Sequence, residues 1–214
     1  LKIIRREHEG LTSGINASVA RNLGFSMVTT KYCLVLHPDT IVLEKNWDRK
    51  LKADLLNEKA VCIGAPFPPW KLGNYHDCPA IFFQFFYSEI FKEINADWRP
   101  WPNSYYTLIF NLILRNILRL GGYVTRERFS NNPYLRFITT KLEKVFGVVS
   151  KQSGWRIAKK LKKKNMKTIE FDLADYRNIN NNNAKSKLLR NIAKDFELFI
   201  YQGKPFLAHL YRTN

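Results

Sequence analysis

The stretch KYCLVLHPDTIVLEKNW (Lys31–Trp47) sets one acid, Asp39, at the lip of an apolar run. Tyr32–Leu36 reads as a buried strand, His37-Pro38-Asp39-Thr40 as a turn, and Ile41-Val42-Leu43 as a second apolar step. A carboxylate placed there has two uses. It closes an Asx turn behind Pro38, or it meets a charged ligand. The chain has four histidines: His8, His37 two residues before Asp39, His76 beside Asp77 in NYHDCP, and His209 in the closing KPFLAHLYRTN. His76 reads as a substrate contact or as an ordinary surface-loop histidine. The three cysteines (Cys33, Cys62, Cys78) are too few and too scattered for a disulfide framework or a zinc cluster. Cys33 and Cys62 lie in apolar runs and read as buried thiols of a protein kept in a reducing, cytoplasmic compartment.

Charge is the outlying property. A net +17 implies attraction to nucleic acid, an acidic membrane surface or phosphorylated substrates. Lys144–Ile169 contains no acid and carries KKLKKKNMK, which is either a solvated lysine-rich helix face or a surface for an anionic partner. Tryptophan and tyrosine interleave with the basic residues, a pattern compatible with phosphate contacts and base stacking. No zinc-finger, RNP-type or helix-turn-helix signature accompanies them, so nucleic acid ranks low. No apolar run is long enough for a membrane span. YYTLIFNLILRNILRLGGYV comes closest, but Asn111, Arg115, Asn116 and Arg119 fall together on one side of a helix. That pattern makes an amphipathic helix, expected to face the core, with a membrane or partner surface as the alternative.

The elements that must position these residues follow from periodicity. Leu1–Ile4 reads as the end of a strand, and the chain has no initiating Met, so it reads as entering its fold partway. A helix capped at Thr12 or Ser13 places Ile15, Val19 and Leu23 on one face and is expected to stop at Gly24. Strand Tyr32–Leu36 follows, then a helix capped by Asn46 with Trp47, Leu51 and Leu55 together, then the short strand AVCIGAP. This strand–helix–strand rhythm predicts an α/β layer with a mixed, mostly parallel central sheet flanked by helices. AIFFQFFYSEIFKEIN begins as a strand and turns helical at Ser88. GGYVTRERFSNNPYLRF reads as irregular. SGWRIAKKLKKKNMKTIEF reads as a helix capped by Ser153, then a strand. RNINNNNAKS is a polar loop. KLLRNIAKDFELFIYQG is expected to be one helix with Leu189, Ile192, Phe196 and Phe199 inward and Gly203 as its stop, before a last strand in KPFLAHLYRTN.

In this order the elements resemble a GT-A-fold glycosyltransferase of the family 2 type. The segment EGLTSGINASVARNLGFSMVTTKYCLVLHPDTIVLEKNWDRKL is similar to the family's helix, strand, Asp-x-Asp-like turn and Trp-led helix. AVCIGAP, CPAIFFQFFYSEIFKEI, SGWRIAKKLKKKNMKTIEF and GKPFLAHLYRTN resemble the elements that follow. The resemblance spans nearly the whole chain. It implies a single GT-A-like domain over 1–214, amino-terminally incomplete, with 1–66 the remainder of the nucleotide-binding half and 67–214 the acceptor-side half. It implies transfer of a sugar from a UDP- or GDP-linked donor to a glycan or lipid-linked acceptor, assisted by Mn²⁺ or Mg²⁺. Asp39 and His209 are the implied metal ligands, with His37, Asp39 and Asn16 toward the donor and His76 and Trp98 toward the acceptor. His37 stands where the family has its first acid, and an imidazole there can ligate Mn²⁺ or contact phosphate. The competing reading of His209 is a strand histidine hydrogen-bonded in the core.

The family's general base precedes the helix that begins at SGWRI. Here Val148–Ser153 holds no carboxylate, leaving Asp97 and Asp77 as displaced candidates. Three readings therefore stand: an active transferase at the inner face of an anionic membrane, a catalytically degenerate scaffold of the same fold, and, less favoured, a basic nucleic-acid-binding protein.

Overall fold

The computed structural model of the chain describes residues 13–100, 105–118, 125–179 and 182–210. In chain order its elements are α1 (Ser13–Ser26), β1 (Tyr32–Leu36), β2 (Thr40–Val42), α2 (Trp47–Asn57), β3 (Cys62–Gly64), β4 (Phe83–Tyr87), α3 (Ser88–Glu93), α4 (Tyr105–Leu118), α5 (Arg126–Asn131), α6 (Pro133–Phe146), α7 (Trp155–Lys163), β5 (Thr168–Glu170), β6 (Asp172–Leu173), a 3₁₀ turn (Tyr176–Asn178), α8 (Ala184–Asp195), β7 (Phe196–Tyr201) and β8 (Lys204–Leu210). The strand expected at Leu1–Ile4, the Thr12 cap, His8 and Arg119 lie outside the described residues. The elements gather into two compact units that interleave along the chain. One holds every described strand with α2 and α8; the other is helical, built from α1 and α3–α7.

The sheet unit contains two four-stranded sheets, ordered β1-β4-β3-β5 and β2-β8-β7-β6. The α/β class and mixed sheet agree with the sequence reading, but the expectation of mostly parallel pairing needs correction. β1, β3 and β5 do run the same way. β4, reached through a loop rather than a crossover helix, inserts in reverse between β1 and β3, and only β3–β5 pairs in parallel among the described ladders. The second sheet is antiparallel throughout. Gly64 belongs to β3 because a Cβ there would lie 1.9 Å from the Phe83 carbonyl oxygen. The core is aromatic: Phe171 sits 4.7 Å from Phe206 and 5.7 Å from Phe83, ring centre to ring centre. Leu51 and Leu55 of α2 are buried as expected, and Trp47 packs edge-on against Phe83 at 5.5 Å. Asn46 occupies the cap position in the left-handed region (φ 54°), yet its side chain makes no cap bond. Cys62 is buried and Cys33 half-buried, and burial pushes both thiols up, so neither is poised to react.

The carboxyl-terminal third departs most from its sequence reading. The helix expected to run to Gly203 stops at Asp195, and Phe196–Tyr201 is strand β7. Gln202 and Gly203, both at positive φ (49° and 73°), form the two-residue turn of the β7–β8 hairpin. Gly203 is thus a hairpin residue and not a helix stop.

In the helical unit, α1 runs past Gly24 to Ser26. Trp98 is fully buried, edge-on to Phe25 at 5.2 Å and tilted against Phe91 at 6.2 Å. Ser153 does not cap α7; Gly154 takes that position at φ 91°. The Ser153 hydroxyl donates to the Trp98 carbonyl (2.7 Å) and meets Ser18 Oγ (3.0 Å), tying α1 to α7. The segment expected to be irregular is helical where described. Thr125 and Asn132 accept from Arg128 N and Leu135 N, capping α5 and α6, and Pro133 opens α6. In α4 the expected polarity holds only in part: Leu118 is buried and Asn116 exposed, but Asn111 is buried and Phe110 (59% exposed), Ile113 and Ile117 face outward.

Candidate active site

β1 ends at Leu36, and the chain turns through His37–Asp39 into β2 of the second sheet. The Phe82 carbonyl anchors both ends of this turn, accepting from His37 N (3.0 Å) and from Thr40 Oγ1 (3.3 Å). Thr40 N closes it onto the His37 carbonyl at 3.2 Å. β8 lies between β2 and β7, so His209 has Thr40 opposite on one side and Glu197 on the other. Leu210 N donates to the Asp39 carbonyl at 3.0 Å, which locks the turn to the last strand.

Three side chains converge. Asp39 Oδ1 is in contact with His37 Nδ1 and lies 3.3 Å from His209 Nε2. Ligand atoms of all three fall within 4.8 Å of one another. His37 and Asp39 are about one-third exposed (31% and 33%), whereas the His209 side chain is 8% exposed and lies under the Phe82 ring at 4.3 Å. The Asp39 carboxylate is therefore engaged by two imidazoles rather than closing an Asx turn. One hard oxygen and two imidazole nitrogens, open to solvent on one side, form a donor set that fits a divalent cation.

The remaining candidates are not members of this three-residue group. Asn16 lies half-buried on α1 in the helical unit. Asp77 is exposed in the sheet unit. His76 is fixed at both ring nitrogens, with Nδ1 2.9 Å from the Phe67 carbonyl and Nε2 3.3 Å from Glu143 Oε1. Glu143 also accepts from Gly73 N at 2.5 Å, so this pair pins the Pro/Gly-rich loop to α6. Trp98, expected toward the acceptor, is a core residue: at 0% exposure its ring has no surface to offer a sugar.

Asp97 is held as a clamp. Asn22 Nδ2 donates to it at 2.8 Å, Arg99 donates from its backbone N and Nε at 3.0 Å, and Arg156 Nε of α7 lies 3.6 Å away. Burial opposes its ionisation, but the Arg99 hydrogen bonds and charge, with Asn22, outweigh that and hold the carboxyl at about 2. A group that ionises so easily is a weak proton acceptor.

Sequence reasoning missed Glu197. It is fully buried and its Oε2 lies 2.7 Å from His209 Nδ1. The available signal was an acid inside FELFIY, ahead of a QG turn that makes the segment a hairpin strand.

Mixed sheets with flanking helices place the chain in the α/β class to which the GT-A-like fold belongs. Residues 2–121 match the family model Glycosyl transferase family 2, and the chain belongs to that family. The match includes His37 and Asp39; Glu197 and His209 lie beyond it. The chain matches no curated protein and no solved structure. Family membership assigns glycosyl transfer as the general chemistry.

Proposed function

We propose that the chain moves a sugar from a UDP- or GDP-linked donor to a glycan or lipid-linked acceptor, with a divalent cation at Asp39 and His209. The observation that carries this reading is the convergence of Asp39, His37 and His209 in a family 2 chain. Two imidazoles beside one carboxylate favour Mn²⁺ over the harder Mg²⁺. When bound, the ion neutralises the diphosphate as it departs. His37, at the solvent side of the cluster, is the imidazole assigned to a donor phosphate.

In the transfer, the acceptor oxygen bonds to the anomeric carbon as that carbon's bond to the diphosphate oxygen breaks. The electron pair leaves with the diphosphate, and the acceptor proton passes to a base. We assign that role to the exposed Asp77, since Asp97 is held by its arginines. His76 keeps its acceptor-side assignment, with its ring fixed by Phe67 and Glu143.

The acceptor is assigned to an anionic membrane surface, at its cytoplasmic face. Among the described residues no helix is long and apolar enough to cross a membrane. α4 and α6 pack together in the helical unit and carry outward apolar side chains: Phe110, Ile113 and Ile117 on one, Tyr134, Phe137 and Val145 on the other. Exposed Arg136, Lys141 and Lys144 share α6, and Lys141 Nζ sits 5.6 Å from the Phe137 ring. Apolar side chains rimmed by cations match an acidic lipid interface. The basic α7 run is partly engaged within the fold, since Lys160 donates to the Ile94 and Asn95 carbonyls and Lys164 pairs with Glu93. That engagement weakens the nucleic-acid reading.

A degenerate scaffold is the second reading, favoured by the missing carboxylate in Val148–Ser153 and by the clamped Asp97. Incubation with labelled UDP- and GDP-sugars, Mn²⁺ and a lipid extract separates the two. Transfer that EDTA stops supports the enzyme. Mn²⁺-dependent nucleotide binding without transfer from any donor supports the scaffold.

A further inference from the structure

Glu197 has no part in the roles assigned above, yet it is the most deeply placed acid beside the site. Its side chain is 0% exposed, it pairs with His209 across the β7–β8 ladder, and its Oε2 lies 2.7 Å from His209 Nδ1. Its second oxygen, Oε1, is buried with no hydrogen-bond partner among the described residues. A buried carboxylate with a single imidazole partner is costly unless positive charge lies close by.

The geometry names where that charge would sit. A carboxylate only accepts, so Nδ1 of His209 carries the proton and donates to Glu197. In the neutral ring the lone pair is then on Nε2, which faces Asp39 Oδ1 at 3.3 Å; in the imidazolium Nε2–H donates to Asp39, and a bound cation takes the place of that proton. Two acceptors facing each other at that distance repel, and a cation between or beside them turns both contacts attractive. One carboxylate among the three converging groups leaves a bound dication with excess positive charge, which a second carboxylate directly behind the imidazole offsets.

We propose that Glu197 is a positioning residue of the cation site. It holds His209 in the Nδ1–H tautomer so that Nε2 faces the ion, and it supplies the second negative charge from behind the imidazole. The inference rests on the cation reading of Asp39 and His209. Partners of this kind, hydrogen-bonded to a ligating histidine, commonly change metal affinity by about 10–100-fold when replaced.

The test is Mn²⁺ affinity, read from the loss of the free-ion electron paramagnetic resonance signal, for the wild type, Glu197→Gln, His209→Gln and the double variant. Circular dichroism of the metal-free proteins checks that each is folded. Glu197→Gln is expected to bind about 10-fold or more weakly, and the double variant no more weakly than His209→Gln alone, because Glu197 acts through His209. Wild-type affinity in Glu197→Gln, or losses that multiply in the double variant, would overturn the proposal. A wild type that binds no Mn²⁺ at millimolar concentration sinks the cation reading itself, a separate and distinguishable outcome. ¹⁵N-histidine spectra of the Zn²⁺-loaded wild type need no variant. A protonated Nδ1 and metal-bound Nε2 on His209 are expected, and metal on Nδ1 contradicts the proposal.

Discussion

Glu197 Oε2 and His209 Nδ1 lie 2.7 Å apart across the β7–β8 ladder, and this bond ties the last strand's imidazole to a fully buried acid. The opposite edge of the same ring meets Asp39. His209 is therefore a bridge between an interior carboxylate and one at the surface.

Removing the bridge exposes its structural side. His209→Ala leaves Glu197 buried without its imidazole, and breaking such a pair costs about 3 kcal/mol. Urea denaturation of the metal-free protein is expected to show that loss, with part of it recovered when Glu197→Gln is added. Equal stability of wild type and His209→Ala would show that the pair contributes nothing.

Asp97 gives a pH-dependent outcome. Its folded carboxyl ionises at about 2, below the roughly 3.9 of an unfolded aspartate. Its stabilising contribution is therefore complete above about pH 4 and is lost as pH falls toward 2. After allowance for solvent screening of a partly exposed pair, Asp97→Asn is expected to cost about 1 kcal/mol at pH 7. Urea midpoints of wild type and variant should draw together as pH falls from about 4 and converge only below about pH 2, and a gap that does not narrow over that range contradicts the clamp.

The structure shows how much of this was legible beforehand. Tyr32–Leu36 is strand β1 with the expected bounds, because a five-residue apolar run closed by a His-Pro-Asp turn has few other ways to fold. Asp39 and His209 were both singled out from sequence, although 170 positions separate them. Phe196 and Phe199 misled, since their three-residue spacing continues the α8 pattern while the segment is a strand. That error hid Glu197: on a helix an acid belongs in water, whereas on β7 the same residue faces the interior. The burial of Trp98 was not legible, because periodicity does not say whether an aromatic in a Pro-rich loop folds back onto Phe25 and Phe91.

Asp77 and Asp97 separate by kinetics. Asp77→Asn, lacking the assigned base, is expected to lower turnover about 100-fold while leaving Mn²⁺-dependent nucleotide binding unchanged. Unaltered turnover would remove Asp77 from the reaction.

The membrane assignment is checked by co-sedimentation with vesicles of phosphatidylcholine alone or with about a third phosphatidylglycerol. Binding is expected only to the acidic vesicles, weakening with salt and falling at least 10-fold in the paired variant Phe110→Ser, Phe137→Ser. Equal binding to both compositions, or none, contradicts it, and a change in oligomeric state on substitution points to a second copy as the occupant.

Calorimetric titration with UDP and GDP, with and without Mn²⁺, tests most directly whether Asp39 holds a cation for the departing diphosphate. Nucleotide binding to the wild type that requires Mn²⁺ and disappears in Asp39→Ala is the expected result. Binding that is indifferent to Mn²⁺, or that survives the loss of Asp39, would contradict it.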